Sequence, residues 1–210
     1  LPKYRGAAPV NWAIINGETE TGLTAFFLKE TVDTGDIFHQ QRVPITANDT
    51  FDSLYERLCA ATGPFLLKTL ERVETNQFTP VPQTDDEASY APRLRPEDAL
   101  IDFGFPAENV RNFIRGMATR PGAYTFFRGR KLKVHFCEIA DTAGAPDTRP
   151  GTILPDRRRL LVQCNRSAVA LTKVVPAGKR EMDGQSFLNG YHPQPGEVLG
   201  EKAVEGEVRP

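Results

Sequence analysis

The sequence predicts an α/β domain with too few strands to complete its own sheet, followed by a small β-barrel of oligonucleotide-binding type with flanking helices. Three observations lead there. Residues Thr79–Pro92 read TPVPQTDDEASYAP, polar and proline-spaced, the texture of an extended linker because proline fixes φ and cannot donate to a ladder. Upstream of it, helical and strand patterns alternate. Downstream, short β segments follow one another without βαβ alternation, which favours a barrel over a parallel sheet. The expected parts are 1–78 for the α/β half, 79–95 for the linker, 96–195 for the barrel, and 196–210 for a polar, charged tail expected to be disordered.

The first element is a short helix at Pro9–Asn16, with apolar Val10, Ala13 and Ile14, Pro9 suited to the first helical position and Gly17 to the cap. Its Trp12, the single tryptophan, is expected to pack that helix. Thr21–Leu28 and Ile37–Ile45 read as strands on either side of an Asp33-Thr34-Gly35-Asp36 turn. Phe51–Val73 has helical spacing at Leu54, Leu58, Phe65, Leu66 and Leu70, with Thr50 as N-cap and a break at Gly63-Pro64. In the second half, Pro106–Met117 forms an amphipathic helix opened by proline. Strands are expected at Ala123–Phe127, Lys131–Ile139, Gly151–Leu154, Leu160–Cys164 and Ala168–Val175, before a last helix at Asp183–Asn189.

Composition narrows the class. With 210 residues, 40% hydrophobic and 25% charged, the chain is globular, and no run approaches the roughly 18 apolar residues of a membrane span. Cys59, Cys137 and Cys164 are odd in number and outside any C-x-x-C pattern, which suits a reducing, cytoplasmic setting and neither a disulfide framework nor zinc. The net charge of −1 hides a polarity: residues 1–90 carry 7 basic and 13 acidic side chains, whereas 111–180 carry 15 basic and 4 acidic. Such asymmetry points to a polyanionic partner for the second half.

The chain opens inside a motif, Leu1-Pro2-Lys3-Tyr4-Arg5-Gly6-Ala7-Ala8-Pro9, without an initiator Met, and reads as the C-terminal piece of a longer enzyme. Asn16-Gly17-Glu18-Thr19-Glu20-Thr21-Gly22 and Asp33-Thr34-Gly35-Asp36 follow it. Further on come Tyr90-Ala91-Pro92-Arg93-Leu94, Ile101-Asp102-Phe103, Val110–Gly116, Pro150–Leu154 and Pro176–Met182. In order and spacing these segments resemble the folate-dependent formyltransferases, and the methionyl-tRNA formyltransferases in particular, up to about Tyr191.

The resemblance implies that the first half is part of a Rossmann-like formyltransferase domain and the second a tRNA-binding barrel. It implies a reaction in which the amino group of methionyl initiator tRNA attacks the formyl carbon of 10-formyltetrahydrofolate, for translation initiation. No metal, DNA or membrane partner is implied, and a monomer is expected. In that family the chemistry belongs to an Asn and a His in an Asn-x-His-x-Ser-Leu-Leu-Pro stretch, and to an Asp in the Asp-x-Gly turn. Asp33 matches the last; of the stretch only Leu1-Pro2 is present, matching its folate-contacting end, so the chain by itself is expected to be inactive.

These residue types fit the chemistry. Amine attack on a formyl carbonyl develops an oxyanion, which positioned donors stabilise, while a carboxylate beside an imidazole fixes its tautomer and takes up charge from the attacking ammonium. Each residue also has a plainer reading. The Asp33 turn taken alone is an ordinary β-turn, Arg5 and Gly6 with Gly35 support the loops, and Asp36 bonds the turn's own amides. None of His39, His135 and His192 sits in a catalytic context.

Arg128, Arg130, Lys131 and Lys133 fall along adjacent strands, Arg157-Arg158-Arg159 in a turn, Arg93 and Arg95 beside the linker, and Lys179 with Arg180 before the last helix. Together they describe a phosphate-binding face, or a solvated one. Two other readings stand beside the tRNA enzyme: a related formyltransferase acting on a sugar-nucleotide amine, and a non-catalytic tRNA-binding module.

Overall fold

The computed structural model describes residues 1–141 and 147–200. Two compact units divide at Leu94 and Arg95.

The first unit is organised around a hairpin, β2 (Glu20–Phe26) and β3 (Ile37–Pro44), paired antiparallel from Glu20↔Pro44 to Phe26↔Ile37. Helix α1 (Pro9–Ile15) and the 24-residue α2 (Phe51–Glu74) pack on it. Ala13 and Ile14 from α1, Val43 and Ile45 from the second strand and Leu54 and Leu58 from α2 form one buried cluster. Full burial of a side chain such as Ile14 or Leu54 contributes about 2 kcal/mol. A two-residue parallel ladder, β1 (Arg5–Gly6) with β4 (Tyr90–Ala91), ties the chain start to residue 91.

Helix α2 begins as expected, with Thr50 Oγ1 accepting from Ser53 N and the Ser53 hydroxyl accepting from Thr50 N. The break expected at Gly63-Pro64 does not occur, and α2 runs through Pro64. Leu54, Leu58, Phe65 and Thr69 are buried on one side, spanning both halves, while Pro64 and Ala60 are exposed. The carbonyl that proline leaves without a partner is therefore open to water, and tertiary packing outweighs the local preference. Leu66 and Leu70, which share the expected periodicity, are half exposed at 53% and 51%.

The linker expected at 79–95 is bonded into this unit as far as Leu94. Ile37 and Val81 exchange backbone hydrogen bonds at 2.8 and 2.7 Å, and Ser89 O accepts from Arg5 N at 2.8 Å. The stretch is not extended throughout: it turns through a 3-10 helix at Asp85–Glu87, and its backbone groups found partners rather than water. Trp12 Nε1 donates to Pro92 O at 2.9 Å, closing the same strap.

The second unit holds α3 (Ala107–Met117), β5 (Tyr124–Phe127), β6 (Arg130–Ala140), β7 (Leu160–Gln163), β8 (Ala168–Pro176), β9 (Met182–Asp183) and α4 (Gly184–Tyr191). All ladders are antiparallel, in the order β5-β6-β8-β7, with β9 also on β8. Among the described residues no ladder joins β5 to β7, so a half-barrel sheet is what is established of the expected barrel. Its inner face is Leu132, Val134, Leu160, Val162, Leu171 and Val174, all at most 1% exposed. Helix α3 adds Ala107, Val110, Ile114 and Met117, spaced to share one helical face.

Gly151–Leu154, expected as a strand, makes two isolated bridges, Thr152↔Val198 and Ile153↔Val162. Its partner comes from the tail expected to be disordered. Glu197 O accepts from Ile153 N at 2.7 Å, Leu199 is 4% exposed, and Glu197 pairs with Arg128 at 2.9 Å. Residues 196–200 are thus part of the second unit, and the rest of that expectation, 201–210, lies outside the described residues.

Candidate functional site

Three stretches of the first unit converge on Asp33: the chain start, the turn between β2 and β3, and the strap at 81–91. Asp33 itself adopts φ 58°, a left-handed conformation that aspartate tolerates better than most residues. Its Oδ2 accepts from Gly6 N at 2.9 Å. Oδ1 accepts no hydrogen bond among the described residues, and the side chain is half-buried.

The glycines explain the tightness of the arrangement. A Cβ on Gly35 would stand 1.5 Å from Phe27 O, and one on Gly6, at φ 127°, would stand 2.7 Å from Ala91 O. Both positions are closed to any side chain.

The turn is held from behind by Gln83. Its Nε2 donates to Asp33 O at 3.0 Å and to Gly35 O at 2.7 Å. Its Oε1 accepts from Arg5 Nε at 3.2 Å and Nη2 at 3.1 Å. Arg5 Nη1 donates to Asp85 Oδ1 at 3.0 Å, and the Arg5 side chain is 9% exposed against 89% for Asp85. Arg5 therefore supports the loop, with its fork of donors aimed at the strap rather than at solvent.

Leu1 and Pro2 are half-buried beside this turn. Leu1 O accepts from Gln40 Nε2 at 2.8 Å, and its amino group donates to Thr24 Oγ1 at 3.3 Å. Burial lowers the pKa of that amino group, with the Asp33 carboxylate acting in the opposite sense. Tyr4, at φ 62°, donates its hydroxyl to Glu18 Oε1 at 2.8 Å, where Lys3 Nζ also donates at 3.0 Å. Those two bonds, Tyr4's first, hold the Glu18 carboxyl below its ordinary range. Asp36 does not bond the turn's own amides; its Oδ1 pairs with Lys29 Nζ at 2.7 Å. Lysine at that distance offers a stronger, charge-assisted partner than an amide.

The histidines lie elsewhere. His39 is 8% exposed, stacked 4.5 Å from Phe65, with Nδ1 at 2.6 Å from Thr69 Oγ1. Because the Thr69 hydroxyl already donates to Phe65 O at 2.7 Å, it accepts from His39, which fixes the Nδ1–H tautomer. Burial, then Arg72 and Lys68, lower its pKa. His135 pairs with Glu181 at 2.6 Å, and His192 caps α4 at φ 45°. None of the three is hydrogen-bonded to Asp33.

Of the basic candidates, Arg93 lies in the first unit and Arg95, Arg128, Arg130, Lys131, Lys133, Lys179 and Arg180 in the second. Lys131 and Lys133 are exposed on one face of β6, alternating with buried Leu132 and Val134. Arg128 is committed to Glu197 and to the carbonyls of Tyr191 and His192. Arg95 N donates to Asp98 Oδ2 at 2.8 Å. Among the described residues no cluster of three or more His, Cys, Asp or Glu side chains is arranged to hold a metal ion. Cys137 and Cys164 are buried thiols whose pKa values burial pushes up to about 12.

The sequence pointed to Asp33, Gly6, Gly35 and Arg5, but not to Gln83, Ser89 or Lys29. Ser89 Oγ accepts from Tyr4 N at 2.9 Å and Ser89 O from Arg5 N. The available signal was an amide side chain, able to donate and accept at once, inside an otherwise acidic, proline-spaced run.

The formyl transferase family model matches residues 1–70, and the formyl transferase C-terminal domain model matches residues 93–192. The methionyl-tRNA formyltransferase of Caldanaerobacter subterraneus subsp. tengcongensis is 37% identical over 199 residues, 95% of this chain and 64% of its own length. That of Pelobacter propionicus is 40% identical over 209 residues, 99% of this chain and again 64% of its own length. Among solved structures, an N-formyltransferase from Helicobacter canadensis, in complex with folinic acid and dTDP-3-aminofucose, superposes with a TM-score of 0.66 at 20% identity. That likeness covers 81% of this chain and 62% of that one, and it speaks to fold alone. The chain spans about 64% of the length of the curated relatives it matches.

Proposed function

From the premise that this chain belongs to the formyl transferase family, we propose that it serves formyl transfer from 10-formyltetrahydrofolate to the amino group of methionyl initiator tRNA. In that reaction the amine nitrogen forms a bond to the formyl carbon, the bond from that carbon to N10 of the folate breaks, and a proton passes from the amine to N10. The observation that carries the reading is the Asp33 carboxylate, anchored through Oδ2 by Gly6 N–H while Oδ1 is left open. An oxygen so placed can hold the attacking amine and stabilise the positive charge its nitrogen gains on bonding to the formyl carbon, until the proton leaves, with the Gln83 clamp keeping the loop from yielding. Leu1 and Pro2 are proposed to line the folate site. The basic face of the second unit, read as one side of an oligonucleotide-binding barrel, is proposed to hold tRNA phosphates.

The relatives named methionyl-tRNA formyltransferase, at 37% to 40% identity, favour tRNA over a sugar nucleotide as acceptor, as does the surplus of basic residues at 111–180. The test is formyl transfer by the full-length enzyme and its Asp33→Asn variant, since this chain by itself is expected to be inactive, with methionyl-tRNA and a dTDP-amino sugar as competing acceptors. Asp33→Asn should lower the rate at least a hundredfold with the fold unchanged, since only the charge is removed. An unchanged rate would remove Asp33 from the mechanism, and preferential formylation of the sugar would reassign the acceptor.

A further inference from the structure

Beside the hairpin joining β5 to β6, the second unit contains a cavity of about 180 Å³ that has no part in the Asp33 site. Buried Phe127, Leu132 and Phe187 form its apolar wall, half-buried Tyr191 flanks it, and exposed Arg130, on the same face of the hairpin as Phe127 and Leu132, also lines it. Tyr191 lies flat against Phe187, with ring centroids 4.6 Å apart and planes within 14°. Phe127 meets Phe187 edge-on at 5.2 Å and 68°. The rings are thus fixed in orientation before any ligand arrives.

The cations differ in how far they are already committed. Arg128 spends its guanidinium on Glu197 at 2.9 Å and on the carbonyls of Tyr191 and His192, fastening the hairpin to the end of α4. The Arg130 guanidinium makes no hydrogen bond or ion pair among the described residues, and Lys131 Nζ rests 3.6 Å above the Tyr124 ring. Ala177 N donates to Lys131 O at 3.0 Å, which brings the turn carrying Lys179 and Arg180 alongside. An aromatic, apolar cavity lined by an uncommitted cation, Arg130, calls for a ligand that is planar and apolar in one part and anionic in the next. The volume is below the roughly 300–1,000 Å³ of pockets that hold drug-sized ligands. That size suits a single ring system.

We infer that this cavity receives one unstacked base of the RNA bound by the second unit, with an adjoining phosphate on Arg130, which shares the Phe127 and Leu132 face of the hairpin. The inference rests on the tRNA reading above and adds a point of single-strand recognition to it. Proteins that read RNA take unstacked bases onto aromatic side chains, a contact open to any base because every base has a π face. The wall offers almost no polar group to discriminate among bases, so no base preference is expected.

The 210-residue chain is titrated with a single-stranded RNA oligomer and with a blunt RNA duplex, each across a salt series. Variants are Tyr191→Leu, Ala177→Phe, which fills the mouth of the cavity without removing a contact, and Arg130→Ala. The single strand is expected to bind more tightly than the duplex. Tyr191→Leu and Ala177→Phe should each weaken single-strand binding about tenfold while leaving the salt slope unchanged. Arg130→Ala should lower the slope by about 0.7. Equal single-strand and duplex affinities, unaffected by Ala177→Phe, would overturn the inference while leaving the basic face intact. No binding of either RNA at low salt would instead refute the tRNA reading. Adenosine monophosphate binding as tightly as the oligomer, and blocked by Ala177→Phe, would also overturn the inference, because the cavity would then be a free-nucleotide site.

Discussion

Replacing Gln83 with leucine isolates the clamp behind Asp33. The substitution removes two donors, to Asp33 O and Gly35 O, and the acceptor of two Arg5 donors, while keeping a side chain of similar size. Each neutral bond contributes about 1 kcal/mol net, and the bidentate bond from a guanidinium about 2 kcal/mol, which sets a ceiling of about 4 kcal/mol. Gln83 is only half-buried, so water replaces part of this and the expected loss is about 2 kcal/mol. Asp85, at 89% exposure, cannot compensate, since exposed ion pairs contribute little. Trp12 is the single tryptophan and is bonded to Pro92 in the same strap, so urea unfolding followed by its fluorescence reports on the first unit. The midpoint should fall by about 1 M. Gln83→Glu separates the two halves of the clamp: it keeps an acceptor for Arg5 but turns a carboxylate oxygen toward two carbonyls. Its deficit should shrink on acidification below about pH 4.3, where protonation restores one donor. A Gln83→Leu variant within about 0.5 kcal/mol of the native chain, with unchanged amide exchange at Gly6, would refute the clamp.

Gly35→Ala should cost more than about 3 kcal/mol or abolish the cooperative Trp12 transition, because its Cβ would stand 1.5 Å from the Phe27 carbonyl and backbone cannot rotate away. Near-native stability in urea would show that the turn relaxes. The stability of the first unit should decline as pH falls below His39's ordinary value of 6.5, since the buried imidazole binds its proton later than the unfolded chain does. A further decline should begin below 3.8. There Asp49 is desolvated, but the Arg57 guanidinium, the Thr46 amide and the Ser53 hydroxyl hold its carboxyl well below that value. Urea midpoints measured from pH 8 to 3 check both steps, and a His39→Asn variant that still showed the first would assign it to another group.

Much of the fold was legible wherever burial on one face sets the pattern. Thr50 as N-cap, the period of Leu54 and Leu58, and the alternation of Leu132 and Val134 along β6 each report a side chain facing a core. The same signal misled at Leu66 and Leu70, which repeat the period yet stand half exposed, because periodicity says which residues share a face and not what covers it. Pro64 misled for the opposite reason: a local rule was overridden by packing on both sides of it. In the site, Gly6 and Gly35 were visible as loop residues, while the atoms that exclude their side chains, Ala91 O and Phe27 O, were not. Gln83 was invisible since its bonds cross 78 residues to Arg5 and 50 to Asp33, and no local pattern encodes such a span.

Asp33 carries its own argument for function in its backbone. A left-handed conformation at φ 58° costs a residue with a side chain about 1 kcal/mol, and glycine would occupy it without that cost. As a device for turning the chain, glycine would therefore be the better choice, and it is already used two residues later at Gly35. An aspartate persists there because two bonds from Gln83 and one from Gly6 over-determine the loop, so that the strain is absorbed by the surroundings. Only one of those bonds touches the carboxylate, and it engages Oδ2 alone. The chain start and the strap thus fix the loop chiefly through its backbone and leave Oδ1 uncommitted, which is what the role proposed for Asp33 requires.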